Sequence, residues 1–178
     1  MQKGTTTAFL DTKPHYELLD GLRGVAALMV IWYHIFEGFA TSPIDQRFNH
    51  GYLAVDFFFI LSGFVIGYAY DDRWKTMKTK DFFKRRLIRL HPMVVLGAVL
   101  GSITFCIQGC EKWDGSQVSI SMVMLAMLMG IFLIPVAPGA GPEVRGNGEM
   151  YPLNGPSWSL FFEYIGNILY ALFIRKLS

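Results

Sequence analysis

Residues 24–40 read GVAALMVIWYHIFEGFA, a run of mostly apolar residues close to the N-terminus. A helix that crosses the hydrocarbon core of a bilayer needs about 17 to 25 such residues. The run lacks a basic segment before it, and further apolar runs follow it, so it does not resemble a cleaved signal peptide. We therefore predict that it stays in the membrane as a spanning helix.

Four more apolar stretches of similar length follow the first one. They are Gly51–Tyr70, Pro92–Gln108, Val118–Val136 and Ser157–Ile174. The chain is 52% hydrophobic and only 17% charged, which is too apolar for an ordinary soluble domain. We predict an all-α fold, a polytopic transmembrane helix bundle of which about five spans are present.

The distribution of positive charge predicts the orientation. Eight of the 16 Lys and Arg residues fall between residues 73 and 89. Cytoplasmic loops carry such an excess, so this loop and residues 1–17, a polar lead-in, are expected in the cytoplasm. Arg175 and Lys176 conflict with this scheme, because simple alternation of five spans would end outside. Either the Pro- and Gly-rich stretch 135–156 contains a re-entrant element or later spans override the local bias.

Two connections have compositions of their own. Asp81–Leu90 reads DFFKRRLIRL and mixes five apolar with four basic residues. This pattern predicts an amphipathic helix that lies in the membrane interface and ends near Pro92. The stretch 135–156 contains too many prolines and glycines for a long regular element, so it is predicted to be a loop that folds over a site.

Ionisable residues inside spans are costly and are therefore candidates for a functional site. Arg23 and His34 are eleven residues apart, which on a helix returns to within about 20° of the starting direction and separates them by roughly 16 Å. They are thus expected on one face, with Arg23 near the cytoplasmic rim and His34 deeper. Alternatively, Arg23 is a snorkelling anchor and His34 packs against a neighbouring helix.

Carboxylates in two other spans are candidates to act with His34. Asp56 lies about five residues into the second span, at a depth expected to be close to that of His34, where it would orient the imidazole as a general base. Alternatively, Asp56 pairs with an arginine of a further helix. Glu163 inside the last span also needs a partner, and Asn167 lies at i+4 without neutralising it.

Arg86 and Arg89 are three residues apart, so they share one face of the predicted amphipathic helix. Guanidinium groups in that arrangement are suited to clamp a phosphate at the cytoplasmic surface. Binding of anionic lipid head groups is the alternative. Ser62 is predicted to serve helix packing. No cysteine or histidine cluster suggests a metal site, and no nucleic-acid partner is expected.

Four ordered motifs together resemble the acyltransferase-3 family. They are LLDGLRGVAALMVIWYHIF (Leu18–Phe36), GYLAVDFFFILSGFVIG (Gly51–Gly67), FFKRRLIRLHP (Phe82–Pro92) and NGPSWSLFFE (Asn154–Glu163). Members of that family are integral membrane proteins that O-acylate surface polysaccharides, nodulation factors and macrolides. The resemblance implies a bundle of about ten helices, so residues 18–178 are expected to be its N-terminal half, truncated at the C-terminus.

The resemblance also assigns roles to the candidate residues. The Arg-x10-His motif of the family falls on Arg23 and His34, its GxD element on Asp56, its Arg-x-x-Arg pair on Arg86 and Arg89, and its WSLxxE element on Trp158–Glu163. Acyl-CoA, most simply acetyl-CoA, is then the expected donor substrate, and no bound cofactor is expected. Its phosphates would meet Arg86 and Arg89.

The expected reaction is O-acylation in a bacterial inner membrane. His34, oriented by Asp56 or Glu163, would take the proton of an acceptor hydroxyl, and Arg23 would stabilise developing charge. The expected partners are acyl-CoA, a carbohydrate or lipid-linked glycan acceptor, and membrane lipids. Two other hypotheses remain open at this point: an inactive fragment of such an enzyme, and a non-enzymatic transporter or scaffold bundle.

Overall fold

The computed structural model describes residues 14, 16–37, 39, 46, 50–137, 141–146 and 148–177. The helices are α1 (Glu17–Glu37), α2 (Leu53–Tyr70), α3 (Thr79–Ile107), α4 (Ile120–Ile131) and α5 (Ser157–Leu172). Short 3-10 turns follow α2 at Asp71–Lys75 and α5 at Ile174–Lys176. Helices α1, α2, α3 and α5 are long and apolar enough to cross a membrane. The predicted all-α membrane architecture is confirmed.

The chain divides into two compact units, Met1–Ile60 and Leu61–Ser178, and the division falls inside α2. In the first unit, Gly51 lies so close to α1 that a Cβ there would be 2.3 Å from the Cβ of Tyr33. Gln46, which is buried, donates a hydrogen bond from Nε2 to the carbonyl of Tyr33 at 3.0 Å. These contacts hold the chain before α2 against the last turns of α1.

In the second unit, α3 and α5 pack antiparallel. Gly97 of α3 meets Asn154 just before α5, whereas Phe82, near the start of α3, packs on Tyr170 near the end of α5. The aromatic cluster around Phe82 also includes Tyr70 and Trp74. Phe82 is fully buried, and this cluster fixes the register between the two helices.

The prediction that a separate interfacial helix ends near Pro92 is wrong. Residues 81–90 are helical, but they form the first part of α3, which continues through Pro92 to Ile107 over 29 residues. Proline removes one backbone donor and crowds the preceding turn, yet spanning helices tolerate it where neighbouring helices support the backbone. Helix α3 is therefore about 43 Å long. Its basic first third extends directly from its apolar remainder.

The fourth apolar stretch, predicted to span as Val118–Val136, forms only the 12-residue helix α4. At 1.5 Å per residue it is about 18 Å long, which is too short for a hydrocarbon core of about 30 Å. Val123 near its start packs with Phe105, and Gly130 near its end lies against Ala98 in the middle of α3. Among the described residues, four helices rather than five are therefore long and apolar enough to cross a membrane.

The chain turns back at the end of α4. Leu133 has a φ of 51°, a left-handed conformation that reverses direction after the helix. The hydroxyl of Tyr151 donates to the carbonyl of Leu133 at 2.9 Å, and the amide of Val136 donates to the carbonyl of Met150 at 3.0 Å. The predicted loop 135–156 is thus irregular where it is described, but it is packed, with Val144 fully buried.

The short connection between α3 and α4 is a polar hairpin. Glu111 and Gln117 pair across it in a single antiparallel bridge, and Gln117 donates to the Glu111 carboxylate at 2.6 Å. Hydrogen bonds from the hydroxyl and the amide of Ser116 lower the pKa of Asp114 at its tip. This hairpin marks the end of the second unit opposite the basic end of α3.

A short α4 also accounts for the charges at the C-terminus. The Arg175 guanidinium lies 3.8 Å above the ring of Trp74 and donates to the hydroxyl of Thr79 at 3.2 Å. The end of α5 is therefore beside the start of α3, so Arg175 and Lys176 lie at the same end of this unit as the basic segment 73–89. A count of four candidate spans removes the conflict that the predicted fifth span created in the charge pattern.

Candidate active site

Arg23 and His34 lie on one continuous helix, which is the premise of their predicted shared face. Each is paired with a carboxylate three residues away. Arg23 Nη1 donates to Asp20 Oδ1 at 2.8 Å. His34 Nδ1 lies 2.8 Å from Glu37 Oε2. Both pairs are partly exposed, with 45% of the His34 side chain accessible.

The contact between Glu37 and His34 has a chemical consequence. If Nδ1 donates its proton to the carboxylate, the imidazole is held in the tautomer whose Nε2 carries the free lone pair. Nε2 has no hydrogen bond within the part of the chain that the structure describes. Tyr33 packs edge-on to the ring, with centroids 5.3 Å apart. The arrangement is that of a general base with its second nitrogen anchored.

The sequence predicted that Asp56 orients the imidazole of His34, whereas the carboxylate beside His34 Nδ1 is that of Glu37. Asp56 is exposed in the first turn of α2, and no partner for its carboxylate is found among the described residues. Asp56 lies five residues beyond Gly51, which packs against Tyr33. Five residues correspond to about 7 Å along a helix axis. A contact between Asp56 and His34 therefore stays a prediction.

A second polar cluster, formed by Ser62, Arg86 and Glu163, lies in the unit Leu61–Ser178. Arg86 Nη2 donates to Glu163 Oε1 at 2.7 Å, and the Ser62 hydroxyl donates to the same oxygen at 3.0 Å. The three residues come from α3, α5 and α2 respectively. We call them the carboxylate cluster. It supplies the partner that Glu163 was expected to need.

The surroundings of the carboxylate cluster are ordered. The Asn167 amide donates to the Glu163 carbonyl at 2.7 Å, one turn along α5. The Tyr164 hydroxyl lies 3.5 Å from Nδ1 of His91 on α3. An apolar groove of about 600 Å³ follows the flank of α3 beside His91, lined by Leu87, Ile88, Pro92, Val95, Leu96 and Val99.

The two arginines of the predicted pair have different environments. Arg86 is buried, with 4% of its side chain exposed, whereas Arg89 is exposed, as are Lys84 and Arg85 nearer the start of α3. Within the described chain, His, Cys, Asp and Glu side chains form no group of three or more that is suited to a metal ion. On α3 beyond Asp81, the positive charges exposed to an anionic ligand are therefore those of Lys84, Arg85 and Arg89.

Two partners were not identified from the sequence. Glu37 lies three residues after His34, a spacing at which helical side chains meet, so this local signal was available. Ser62 was assigned to packing, and its bond to Glu163 joins residues 101 positions apart, which no local pattern shows. The same holds for the pair of Arg86 and Glu163.

Comparisons with known proteins place these residues in a family. A family model described as an acyltransferase domain, that of the acyltransferase-3 family, matches residues 16–178. Protein 2 of the picA locus of Rhizobium radiobacter is 36% identical over 165 residues, covering 86% of this chain and 80% of that protein. Acyltransferase MdmB of Streptomyces mycarofaciens is 30% identical over 169 residues, covering 88% of this chain and 38% of that protein.

A third relative matches about half of this chain. It is a protein of Staphylococcus aureus (strain COL) whose name gives O-acetyltransferase as an inferred activity. It is 39% identical over 95 residues, covering 51% of this chain and 14% of that protein. The chain thus spans four fifths of the first relative and less than two fifths of the other two. No solved structure matches the chain.

Proposed function

Because the chain belongs to the acyltransferase-3 family, we propose that it transfers an acyl group from acyl-CoA to a hydroxyl of a carbohydrate or lipid-linked glycan. Family membership and four spanning helices make it an acyltransferase of a membrane. The donor, the acceptor and the residue roles are the proposal. An acetyl group is the proposed acyl group, supported by the O-acetyltransferase name of one relative.

The observation that carries the proposal is the anchored imidazole of His34 on a membrane helix. Glu37 holds Nδ1 at 2.8 Å, and the same helix carries Arg23. A base in this arrangement has its Nε2 available for a proton, which the transfer of an acyl group to a hydroxyl needs. A guanidinium further along the same helix is suited to bind the acyl donor.

The proposed reaction runs as follows. His34 Nε2 takes the proton of the acceptor hydroxyl while the hydroxyl oxygen attacks the thioester carbonyl carbon. The new oxygen–carbon bond forms, the carbon–sulfur bond breaks, and the imidazolium returns the proton to the sulfur of CoA. Arg23 lies roughly 16 Å along α1 from His34, too far to contact this carbonyl oxygen, and instead donates hydrogen bonds to the pantetheine arm of the donor. Arg23 is released for this role at small cost, since exposed ion pairs such as that with Asp20 contribute little.

The basic end of α3 is the proposed entry point of the donor. Acyl-CoA carries several phosphate charges, and the exposed cations Lys84, Arg85 and Arg89 lie on the first turns of α3. Anionic lipid head groups would favour the same surface. The sequence assigned phosphate binding to both Arg86 and Arg89, and the exposure of Arg89 supports its part of that assignment.

We also propose the bacterial inner membrane as the location, with the N-terminus in the cytoplasm. The basic segment 73–89 and the pair Arg175–Lys176 lie at one end of the unit Leu61–Ser178. Positive charge favours the cytoplasmic side of a membrane, and both basic groups at this end of the unit therefore favour the same orientation. If α4 does not cross the membrane, this orientation puts both groups in the cytoplasm.

The test is acyl transfer by the purified full chain in lipid vesicles, with labelled acetyl-CoA and a mixture of glycan acceptors. Wild-type protein is expected to transfer label, and His34→Ala to lose about a hundredfold or more of the rate, as expected for removal of a general base. His50→Ala is the matched control, since His50 lies outside the helices and is exposed. Full activity of His34→Ala would contradict the assignment. A wild type that inserts but binds no acyl-CoA would favour a transporter or scaffold.

A further inference from the structure

The carboxylate cluster gives Arg86 a different role from Arg89, its neighbour one turn along α3. We propose that Arg86 and Ser62 are positioning residues that hold the Glu163 carboxylate for the reaction, and that Arg89 alone of the two arginines binds donor phosphate. This inference rests on the proposed function. It adds Ser62 to the site and divides a pair that sequence spacing treats as equivalent.

Burial separates the two arginines. Arg86 has 4% of its side chain exposed, and its charge is compensated inside the protein by Glu163. To reach a phosphate at the surface it would have to leave this pair, which strands the carboxylate in a medium where an uncompensated charge is costly. Arg89 is exposed and needs no such rearrangement. Because only Arg86 would have to break an ion pair to bind phosphate, we assign the phosphate to Arg89.

The hydrogen bonds of Glu163 show what the cluster does. Arg86 at 2.7 Å and Ser62 at 3.0 Å both donate to Oε1. Oε2 has no hydrogen bond among the described residues, and the Glu163 side chain is 23% exposed. One oxygen is thus fixed while the other is free to accept a hydrogen bond from a donor on the substrate. Such an anchored carboxylate is oriented before substrate arrives.

Three helices meet at this carboxylate. Ser62 lies on α2, Arg86 on α3 and Glu163 on α5, so the rotamer of Glu163 is fixed by two partners distant in sequence. The hydrogen bond from the Asn167 side chain to the backbone carbonyl of Glu163 also holds the backbone of Glu163 in place. A carboxylate held by two partners and a fixed backbone is what a residue that must meet a reacting group requires.

The first experiment measures CoA binding by calorimetry with the full chain in detergent. Arg89→Ala is expected to weaken binding about tenfold or more, as for loss of a direct phosphate contact. Arg86→Lys and the double variant Arg86→Met/Glu163→Gln are expected to bind CoA within about threefold of wild type. The single variant Arg86→Met would leave the Glu163 charge buried without a partner and could fail to fold. The double variant replaces both members of the pair by neutral groups and avoids this cost.

The second experiment separates kcat from the KM for acetyl-CoA in the vesicle assay. Arg86→Met/Glu163→Gln is expected to lower kcat about tenfold or more with little change in KM, and Arg89→Ala to raise KM with little change in kcat. Ser62→Ala is expected to lower kcat severalfold, and Ser62→Thr, which keeps the hydroxyl, to restore most of it.

The outcomes distinguish this assignment from the proposed function. A wild type that binds CoA and transfers acetyl, with Arg86→Lys losing CoA affinity as much as Arg89→Ala, would overturn the assignment alone. An unchanged kcat in Arg86→Met/Glu163→Gln would do the same. A wild type that binds no CoA would overturn the proposed function, and the division of roles would fall with it.

Discussion

Glu37 Oε2 lies 2.8 Å from His34 Nδ1, one turn further along α1. The imidazole and the carboxylate that orients it therefore belong to a single helix, and their geometry depends on local helical structure. Asp56, the carboxylate on α2 that the sequence suggested, is left without a partner among the described residues. The choice between these carboxylates can be tested by mutation.

Glu37→Gln is expected to lower kcat for acetyl transfer about ten- to a hundredfold, because the amide keeps the shape but not the charge that anchors Nδ1–H. The measurement is the rate with saturating acetyl-CoA in vesicles. Glu17→Gln, an exposed carboxylate in the first turn of the same helix, is the control and should retain activity. Loss of activity in Asp56→Asn with none in Glu37→Gln would return the role to Asp56.

Arg23→Ala is expected to lower kcat/KM about tenfold or more, chiefly by raising the KM for acetyl-CoA, because a charge-assisted hydrogen bond to the donor is lost. Asp20→Asn, which removes the carboxylate charge that pairs with Arg23, is expected to stay within about threefold of wild type, because exposed pairs three residues apart contribute little. Both rates come from the same vesicle assay. If Asp20→Asn is as impaired as Arg23→Ala, the ion pair itself is required and the donor-binding role of Arg23 is wrong.

Gly101→Ala is expected to destabilise the protein by about 1 to 3 kcal/mol, in the range of overpacking substitutions. An added Cβ at Gly101 would be 2.0 Å from the carbonyl oxygen of Leu153, a backbone atom that cannot rotate away. Gly166→Ala on α5 meets nothing within 4 Å and should be neutral or stabilising. Thermal unfolding in detergent compares them. Equal stability of the two variants would show that the chain does not approach α3 at Leu153.

Tyr151→Phe is expected to cost about 1 kcal/mol, the usual value of a buried hydrogen bond. The lost bond runs from the Tyr151 hydroxyl to the carbonyl of Leu133, at the turn after α4. For a chain of this length the midpoint of thermal unfolding should fall by about 3 °C. Tyr52→Phe serves as control, since Tyr52 is half exposed. An unchanged midpoint in Tyr151→Phe would mean that the turn is held by other contacts.

The side of the membrane can be tested by labelling single cysteines, after Cys106 and Cys110 have been changed to serine. Thr76→Cys and Lys176→Cys are expected to react from the same side, because Arg175 reaches Trp74 and Thr79. Asp114→Cys, at the tip of the hairpin before α4, is expected to react from the other side. Reaction of Lys176→Cys together with Asp114→Cys would show that α4 crosses the membrane after all.

Much of the fold was predictable because membrane helices are specified by local composition. The starts and ends of α1, α2 and α5 agree with the apolar runs to within several residues. The failures have physical causes. Pro92 stops helices in water, but a long helix supported by α5 continues through it. The stretch 118–136 has the length of a span, yet Leu133 turns the chain back, and composition does not encode that turn.

The site was only partly predictable for a similar reason. Arg23 and His34 are related by helical phase, which the sequence carries. Glu163 was expected to need a partner, but only tertiary structure shows that the partner is Arg86, 77 positions away. Spacing alone made Arg86 and Arg89 equivalent, whereas packing against α5 buries one and leaves the other exposed.

The short length of α4 has a consequence for how the protein is made. A translocon releases segments into lipid when they are long and apolar enough to span, and 12 residues are too few. We therefore expect the segment between α3 and α5 to be exported as one piece, and α4 to lie against Ala98 only after α5 has anchored the chain. A nascent chain arrested before α5 should leave Ser121→Cys open to a water-soluble reagent from the outer side; protection at that stage would contradict this order. We expect the docking of α4 to follow the insertion of α5 and to be guided by the surface of α3.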